Sequence, residues 1–118
     1  MKKISLLLLL IIYQQAFSQH SIKFEESSFA SILAKAKAEK KLVFMDAYAS
    51  WCGPCKLMEK NVFTDKNVAD FYNKNFVNAR IDMEKGEGRD LAIKYGVRSY
   101  PTFLFLNGEG DVVGKELG

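Results

Sequence analysis

Histidine and tryptophan occur once each in this chain, and cysteine and proline only twice each. A zinc site usually needs four nitrogen or sulfur ligands, and two sulfurs with a remote His20 do not supply them, so no metal is expected. Two cysteines are also too few for the multiply stapled scaffolds common among small exported domains. No internal repeat, low-complexity tract, linker, flavin motif or nucleotide motif is present, so no cofactor is expected. Basic and acidic residues number 17 and 14. That balance lacks the basic stripe of a nucleic-acid binder, and no nucleic-acid partner is expected.

The long apolar run from Ile4 to Ile12 stops at Tyr13. A helix needs roughly 20 apolar residues to cross a bilayer core, which argues against a permanent membrane anchor. Lys2 and Lys3 precede the run, and Ala16 and Ser18 follow it at the spacing a signal peptidase accepts. Residues 1–18 therefore read as a secretory signal peptide cleaved before Gln19, with a periplasmic or secreted product. Without Lys2 and Lys3, 15 basic residues face 14 acidic ones, a net charge of +1. Residues 19–118 are enough for one domain with one core, and a monomer is expected.

Hydrophobic spacing organises that domain. Ser21 to Glu26 alternates like an edge strand, and Ser27 or Ser28 can cap a helix carrying Phe29, Ile32, Leu33 and Ala36 on one face. Leu42 to Met45 is an unbroken apolar run of the kind buried on both faces of a parallel sheet. After a helix-like stretch containing Leu57 and Met58, Thr64 is a plausible cap for a second helix over Lys66 to Asn75, with Val68, Phe71 and Tyr72 inward. Phe76 to Ile81 is a strand closed by Asp82. Glu87 to Tyr95 is helical, with Gly96 as its C-cap. Thr102 to Leu106, the turn Asn107 to Gly110 and Asp111 to Lys115 form an antiparallel pair. The order predicts an α/β sandwich with a mixed central sheet.

The rare residues are gathered in one place. Ser50-Trp51-Cys52-Gly53-Pro54-Cys55-Lys56 holds both cysteines, the tryptophan and one of the two prolines. Cysteines at i and i+3 on a first helical turn can close a disulfide, and the helix start favours a thiolate. The spacing predicts Cys52 at the exposed end as nucleophile, with Cys55 one turn inward as the resolving thiol. As a staple the bridge would contribute only roughly 2 kcal/mol, a weak reason for its presence. Gly53 and Pro54 place no cation between the sulfurs, so the Cys52 thiolate is only moderately stabilised and the couple is expected to be reducing. Pro54 suits the first turn because its missing N–H would be unpaired there anyway.

Two further features surround the motif. Asp46 follows Met45 directly, and an ionised carboxylate in a buried strand is expensive. It either caps a turn at the strand end or lies beneath the helix with a raised pKa, where it could take the Cys55 proton through water. Tyr100-Pro101-Thr102 either marks a strand start or carries a cis bond whose exposed backbone edge receives a substrate segment.

With Asp46, WCGPCK and KYGVRSYPT in this order, the sequence resembles the thioredoxin superfamily over Phe29 to Gly118. The segment KNVFTDKNVADF is similar to that of exported thioredoxin-like domains, such as the carboxy-terminal domain of bacterial thiol:disulfide interchange reductases. The resemblance implies a thioredoxin-like three-layer sandwich with the mixed sheet flanked by helices. It also implies Cys52 and Cys55 as a redox-active disulfide, Asp46 as the buried acid/base, and a cis bond before Pro101. Trp51, Gly53, Tyr100 and Pro101 would line the groove for a partner's disulfide, and Pro54 would help set the potential.

Two departures accompany the resemblance. Asn78 aligns where many thioredoxins carry a lysine near the buried aspartate, which would leave desolvation to govern Asp46. The family's final helix is missing after Gly118, so the sequence is expected to be incomplete at its C-terminal end. Otherwise alternate residues of Thr102 to Leu106 lose their cover.

The implied function is an exported thiol-disulfide oxidoreductase that reduces protein disulfides through a mixed disulfide and is recharged by a membrane thiol relay. A disulfide oxidase or isomerase of the same fold is the first alternative. A non-catalytic peptide-binding or chaperone-like module is the second.

Overall fold

Local chemistry accounts for most of the element boundaries. A computed structural model describes residues 20–118, and the expected signal peptide lies outside them. In chain order the elements are β1 (Phe24–Glu25), α1 (Phe29–Glu39), β2 (Leu42–Tyr48), α2 (Gly53–Asn61), α3 (Lys66–Asn75), β3 (Phe76–Asp82), α4 (Gly88–Tyr95), β4 (Thr102–Leu106) and β5 (Val112–Leu117). Ser28 caps α1 by accepting the Ser31 N–H at 3.2 Å. Gly96 ends α4 with φ 62°, a left-handed conformation that glycine adopts without steric cost. Gly88 is required for a different reason: a Cβ there would lie 1.8 Å from the Asp82 carbonyl oxygen.

The sheet order is β1-β3-β2-β4-β5, with β1, β3 and β2 parallel and β4 and β5 antiparallel to their neighbours. This is the mixed sheet expected from the sequence. Side chains alternate across it. Val43, Met45, Ala47, Val77, Ala79, Leu104 and Leu106 face α1 and α4, where they meet Phe29, Ile32, Ala36 and Leu91. Phe44 and Phe103 face the other way, towards Met58 of α2, Phe63, and Ala69 and Tyr72 of α3. The result is the three-layer thioredoxin-like arrangement. Phe103 is buried and Phe105 partly buried on the second face, both stacked on Phe44 at 5.6 and 5.4 Å between centroids.

Four details differ from the expectations. β1 has two residues rather than six, because Ile22 and Lys23 donate instead to the Phe63 carbonyl and the Asn73 side chain. The cap of α3 is Asp65, whose carboxylate accepts from Asn67 and Val68 at 3.0 and 3.1 Å. Thr64 instead donates to the Lys60 carbonyl. Phe71 points outward and is more than half exposed, because the inward stripe of α3 runs through Val68, Ala69 and Tyr72. Finally, β2 continues past Met45 to Tyr48, since Asp46 is paired on both sides, with Arg80 of β3 and Phe103 of β4. Asp46 is therefore a mid-strand residue and caps no turn.

Candidate active site

β2 delivers the chain to the start of α2, and the cysteine pair sits at that junction. Cys52 is the N-cap, with extended backbone angles, and Cys55 lies in the first turn. They are bonded to each other, with Cα atoms 5.3 Å apart. The Cys55 N–H donates to the Cys52 sulfur at 3.1 Å. A helix-start N–H aimed at a sulfur favours negative charge on it, so the geometry stabilises a Cys52 thiolate once the bridge is reduced.

The expected difference in exposure between the two sulfurs is absent from this disulfide state. Cys52 is 2% exposed and Cys55 1%. Both pack against Ala49, with Tyr48 and Tyr100 alongside. The open surface belongs to their neighbours: Trp51, Gly53 and Pro54 are exposed, and a Cβ on Gly53 would meet nothing within 4 Å.

Trp51 is 66% exposed yet held in place. Its indole N–H donates to Glu84 at 2.7 Å, and its ring meets Tyr100 edge-on at 5.8 Å. The Tyr100–Pro101 bond is cis, as the resemblance implies. Tyr100 is half-buried and stands outside the ladder, which begins at Thr102. Pro101 is fully buried, and its carbonyl accepts the Gly118 N–H. Of the residues expected to line a groove, Trp51, Gly53, Pro54 and Tyr100 present surface, whereas Pro101 contributes backbone beneath it.

Asp46 is 1% exposed, and neither carboxylate oxygen has a hydrogen-bond partner among the described residues. It shares a face of the sheet with Phe44 and Tyr48, under α2. Burial pushes its carboxyl up to about 7. The Arg80 guanidinium opposes that rise, and Glu59 adds to it. Desolvation does dominate, as expected, but the neighbour is not neutral Asn78. Parallel pairing sets Asn78 opposite Phe44 and Arg80 opposite Asp46. The Asn78 amide donates to the Tyr72 carbonyl at 3.0 Å, which makes it a tie between β3 and α3.

Sequence reasoning missed Glu59, Arg80 and Glu84. Glu59 carried a usable signal, lying four residues beyond Cys55 and so on the same face of α2. Arg80 and Glu84 carried none without the strand register and the path of the loop after β3.

The comparisons with known proteins agree with this geometry. Residues 20–117 match the Thioredoxin family. Thioredoxin-1 of Drosophila melanogaster is 48% identical over 69 residues, covering 58% of this chain and 60% of that protein. Thiol:disulfide interchange protein DsbD of Vibrio cholerae is 37% identical over 89 residues, covering 74% of this chain but 15% of DsbD. The solution structure of a "putative disulphide-isomerase" from Bacteroides thetaiotaomicron superposes with a TM-score of 0.77 at 50% identity, covering 86% of this chain and 84% of that one. The chain thus spans at most about three-fifths of these two curated relatives. By fold, motif and the match across nearly all described residues, the chain belongs to the thioredoxin family.

Proposed function

We propose that the protein is an exported thiol-disulfide oxidoreductase that reduces disulfides in other proteins. The observation that carries this reading is the Cys52–Cys55 bridge at a helix start, with a backbone N–H on the Cys52 sulfur. The Cys52 thiolate attacks one sulfur of a substrate disulfide, forming a mixed disulfide and releasing the other as a thiolate, which takes up a proton. Cys55 gives its proton to Asp46, and its thiolate attacks the Cys52 sulfur. The Cys52–Cys55 bond forms, the mixed disulfide breaks, and the substrate leaves with both sulfurs reduced. Trp51, Gly53, Pro54, Tyr100 and Pro101 receive the substrate segment, the backbone beside Tyr100 lying outside the ladder.

Two electrons must then be returned to the bridge, and a membrane thiol relay is the donor that suits an exported protein. The pattern of Lys2, Lys3, Ile4 to Ile12, Ala16 and Ser18 supports export, and similarity to a protein named for thiol:disulfide interchange supports an exchange partner as donor. Gly53 and Pro54 favour the reducing direction. The expected potential lies nearer the value of about −270 mV known for thioredoxin than the value of about −120 mV of a strong periplasmic oxidase.

The isomerase reading draws on one observation, the 50% identity to the "putative disulphide-isomerase" of Bacteroides thetaiotaomicron. Cys55→Ala separates the two readings. Without a resolving thiol, a reductase accumulates mixed disulfides on Cys52 and loses net reduction. Retained rearrangement of a scrambled disulfide substrate by this variant would replace the reductase reading with the isomerase one. Failure to trap any protein would remove both.

A further inference from the structure

The charge beneath α2 extends beyond the buried Asp46 to the partly buried Arg80 and Glu59. Arg80 enters from β3 directly opposite it, with its guanidinium Nε 3.9 Å from Asp46 Oδ2. The same guanidinium lies 3.7 Å from the centroid of the Tyr48 ring and forms an ion pair with Glu59 of α2. Beyond Tyr48 and Arg80 an open cleft of about 680 Å³ continues to the surface, where Glu25, Glu26, Asp82, Lys85 and Glu87 line it. None of Trp51, Cys52, Gly53, Pro54, Tyr100 and Pro101 lines this cleft.

A guanidinium is charged at every accessible pH and stacks on aromatic faces. Here Glu59 and the Tyr48 ring hold it against the sheet. Phe103, the β4 neighbour of Asp46, is apolar. The charged groups acting on Asp46 are therefore Arg80 from β3 and Glu59 from α2, with Tyr48 two residues along its own strand on the same face.

We propose that Arg80 is a positioning residue for the thiol chemistry: clamped between Glu59 and Tyr48, it sets the proton affinity of Asp46 and thereby the pH at which Cys55 is activated. This rests on the acid/base role of Asp46 proposed above. Neutralising Arg80 would leave Asp46 and Glu59 as two carboxylates without a cation, and one must then retain its proton to higher pH. Neutralising Glu59 frees the guanidinium to serve Asp46 alone and has the opposite effect. A merely structural ion pair would be weakened alike by both changes.

The experiment follows the Asp46 carboxyl by NMR titration in the oxidised protein and its Arg80→Gln and Glu59→Gln variants, each first checked for cooperative unfolding. Arg80→Gln should raise the midpoint by roughly one pH unit or more, and Glu59→Gln should lower it by a smaller amount. Arg80→Lys keeps the charge without the planar fork and should recover part of the shift. The pH dependence of mixed-disulfide resolution should move in the same directions. Unchanged midpoints, or midpoints that move the same way in both Gln variants, overturn the proposal. So does a resolution profile that stays fixed while the Asp46 midpoint moves. Absence of exchange activity in the parent protein would instead defeat the functional reading, leaving the titration as the test of Arg80's hold on Asp46.

Discussion

The two faces of the central sheet are made by the same strands and are built differently. On the α1 and α4 side, Val43, Met45, Ala47, Val77, Ala79, Leu104 and Leu106 form a continuous apolar layer. On the α2 and α3 side the alternate residues read Phe44, Asp46, Tyr48 along β2 and Phe76, Asn78, Arg80 along β3. Aromatics fill the lower half of that face, where Phe44, Phe63, Tyr72 and Phe103 stack edge-on or tilted. Charge occupies the upper half, where Asp46 and Arg80 meet Glu59 of α2. The first face does little except exclude water. The second gives up part of that stabilisation to hold a buried ionisable group, so changes on the two faces should differ in kind as well as size.

The largest effect should come from opening the apolar face. Leu104 is fully buried in β4, between β2 and β5. Leu104→Ala should cost about 3 to 5 kcal/mol, measured by denaturant unfolding of the oxidised protein, because a cavity remains where the side chain was. The pH dependence of thiol exchange in the protein that stays folded should be unaltered. A shift in that dependence would mean that the faces are not separable.

On the other face the sign reverses. The Asp46 carboxyl has an ordinary value of 3.8 and is raised to about 7. Between those limits the folded state binds more protons than the unfolded chain, so stability falls as pH rises and levels off above about 7. Three pH units correspond to a ceiling of about 4 kcal/mol. Asp46→Asn removes the titration, so unfolding midpoints should show the variant more stable than the parent at pH 8, by about 2 to 3 kcal/mol, and nearly equal to it at pH 4. Resolution of mixed disulfides should slow in the same variant. Stability lost equally at both pH values would mean that Asp46 is structural.

These two faces were unequally legible in the sequence. Runs such as Leu42 to Met45 and the helical spacing of Phe29, Ile32 and Ala36 carry their own periodicity, so the apolar face and most elements could be read directly. The motif likewise holds its chemistry within seven residues. Asp46 was visible but its place was not: a carboxylate after four apolar residues ends a hydrophobic run on paper, whereas pairing with Arg80 and Phe103 keeps it inside β2. Arg80 was obscured by the neighbouring choice of Asn78, two residues away on the same side of β3. Only the register decides between them, and register is a property of two strands together. Thr64 and Asp65 pose the same difficulty on a smaller scale, since both can cap a helix and one residue's offset decides which does.

The smallest effect concerns the rim. Trp51 lies 33 residues from Glu84 in sequence, yet its indole N–H donates to that carboxylate at 2.7 Å, while Tyr100 supports the ring edge-on. An exposed indole free to rotate would lose entropy on meeting a substrate segment, and the hydrogen bond removes part of that loss beforehand. Glu84→Ala leaves the Tyr100 contact and the sulfur geometry in place, so the rate of the chemical step should hold while the apparent KM for a protein disulfide rises about two- to fivefold. That is the ratio expected for one surface hydrogen bond of about 0.5 to 1 kcal/mol. Trp51, the chain's only tryptophan, reports the change directly: its fluorescence anisotropy should fall in Glu84→Ala if the indole is released. A fall in anisotropy with KM unchanged would mean that Trp51 is ordered by Glu84 but not used in binding, and would move the rim away from Trp51 towards Gly53, Pro54 and Tyr100.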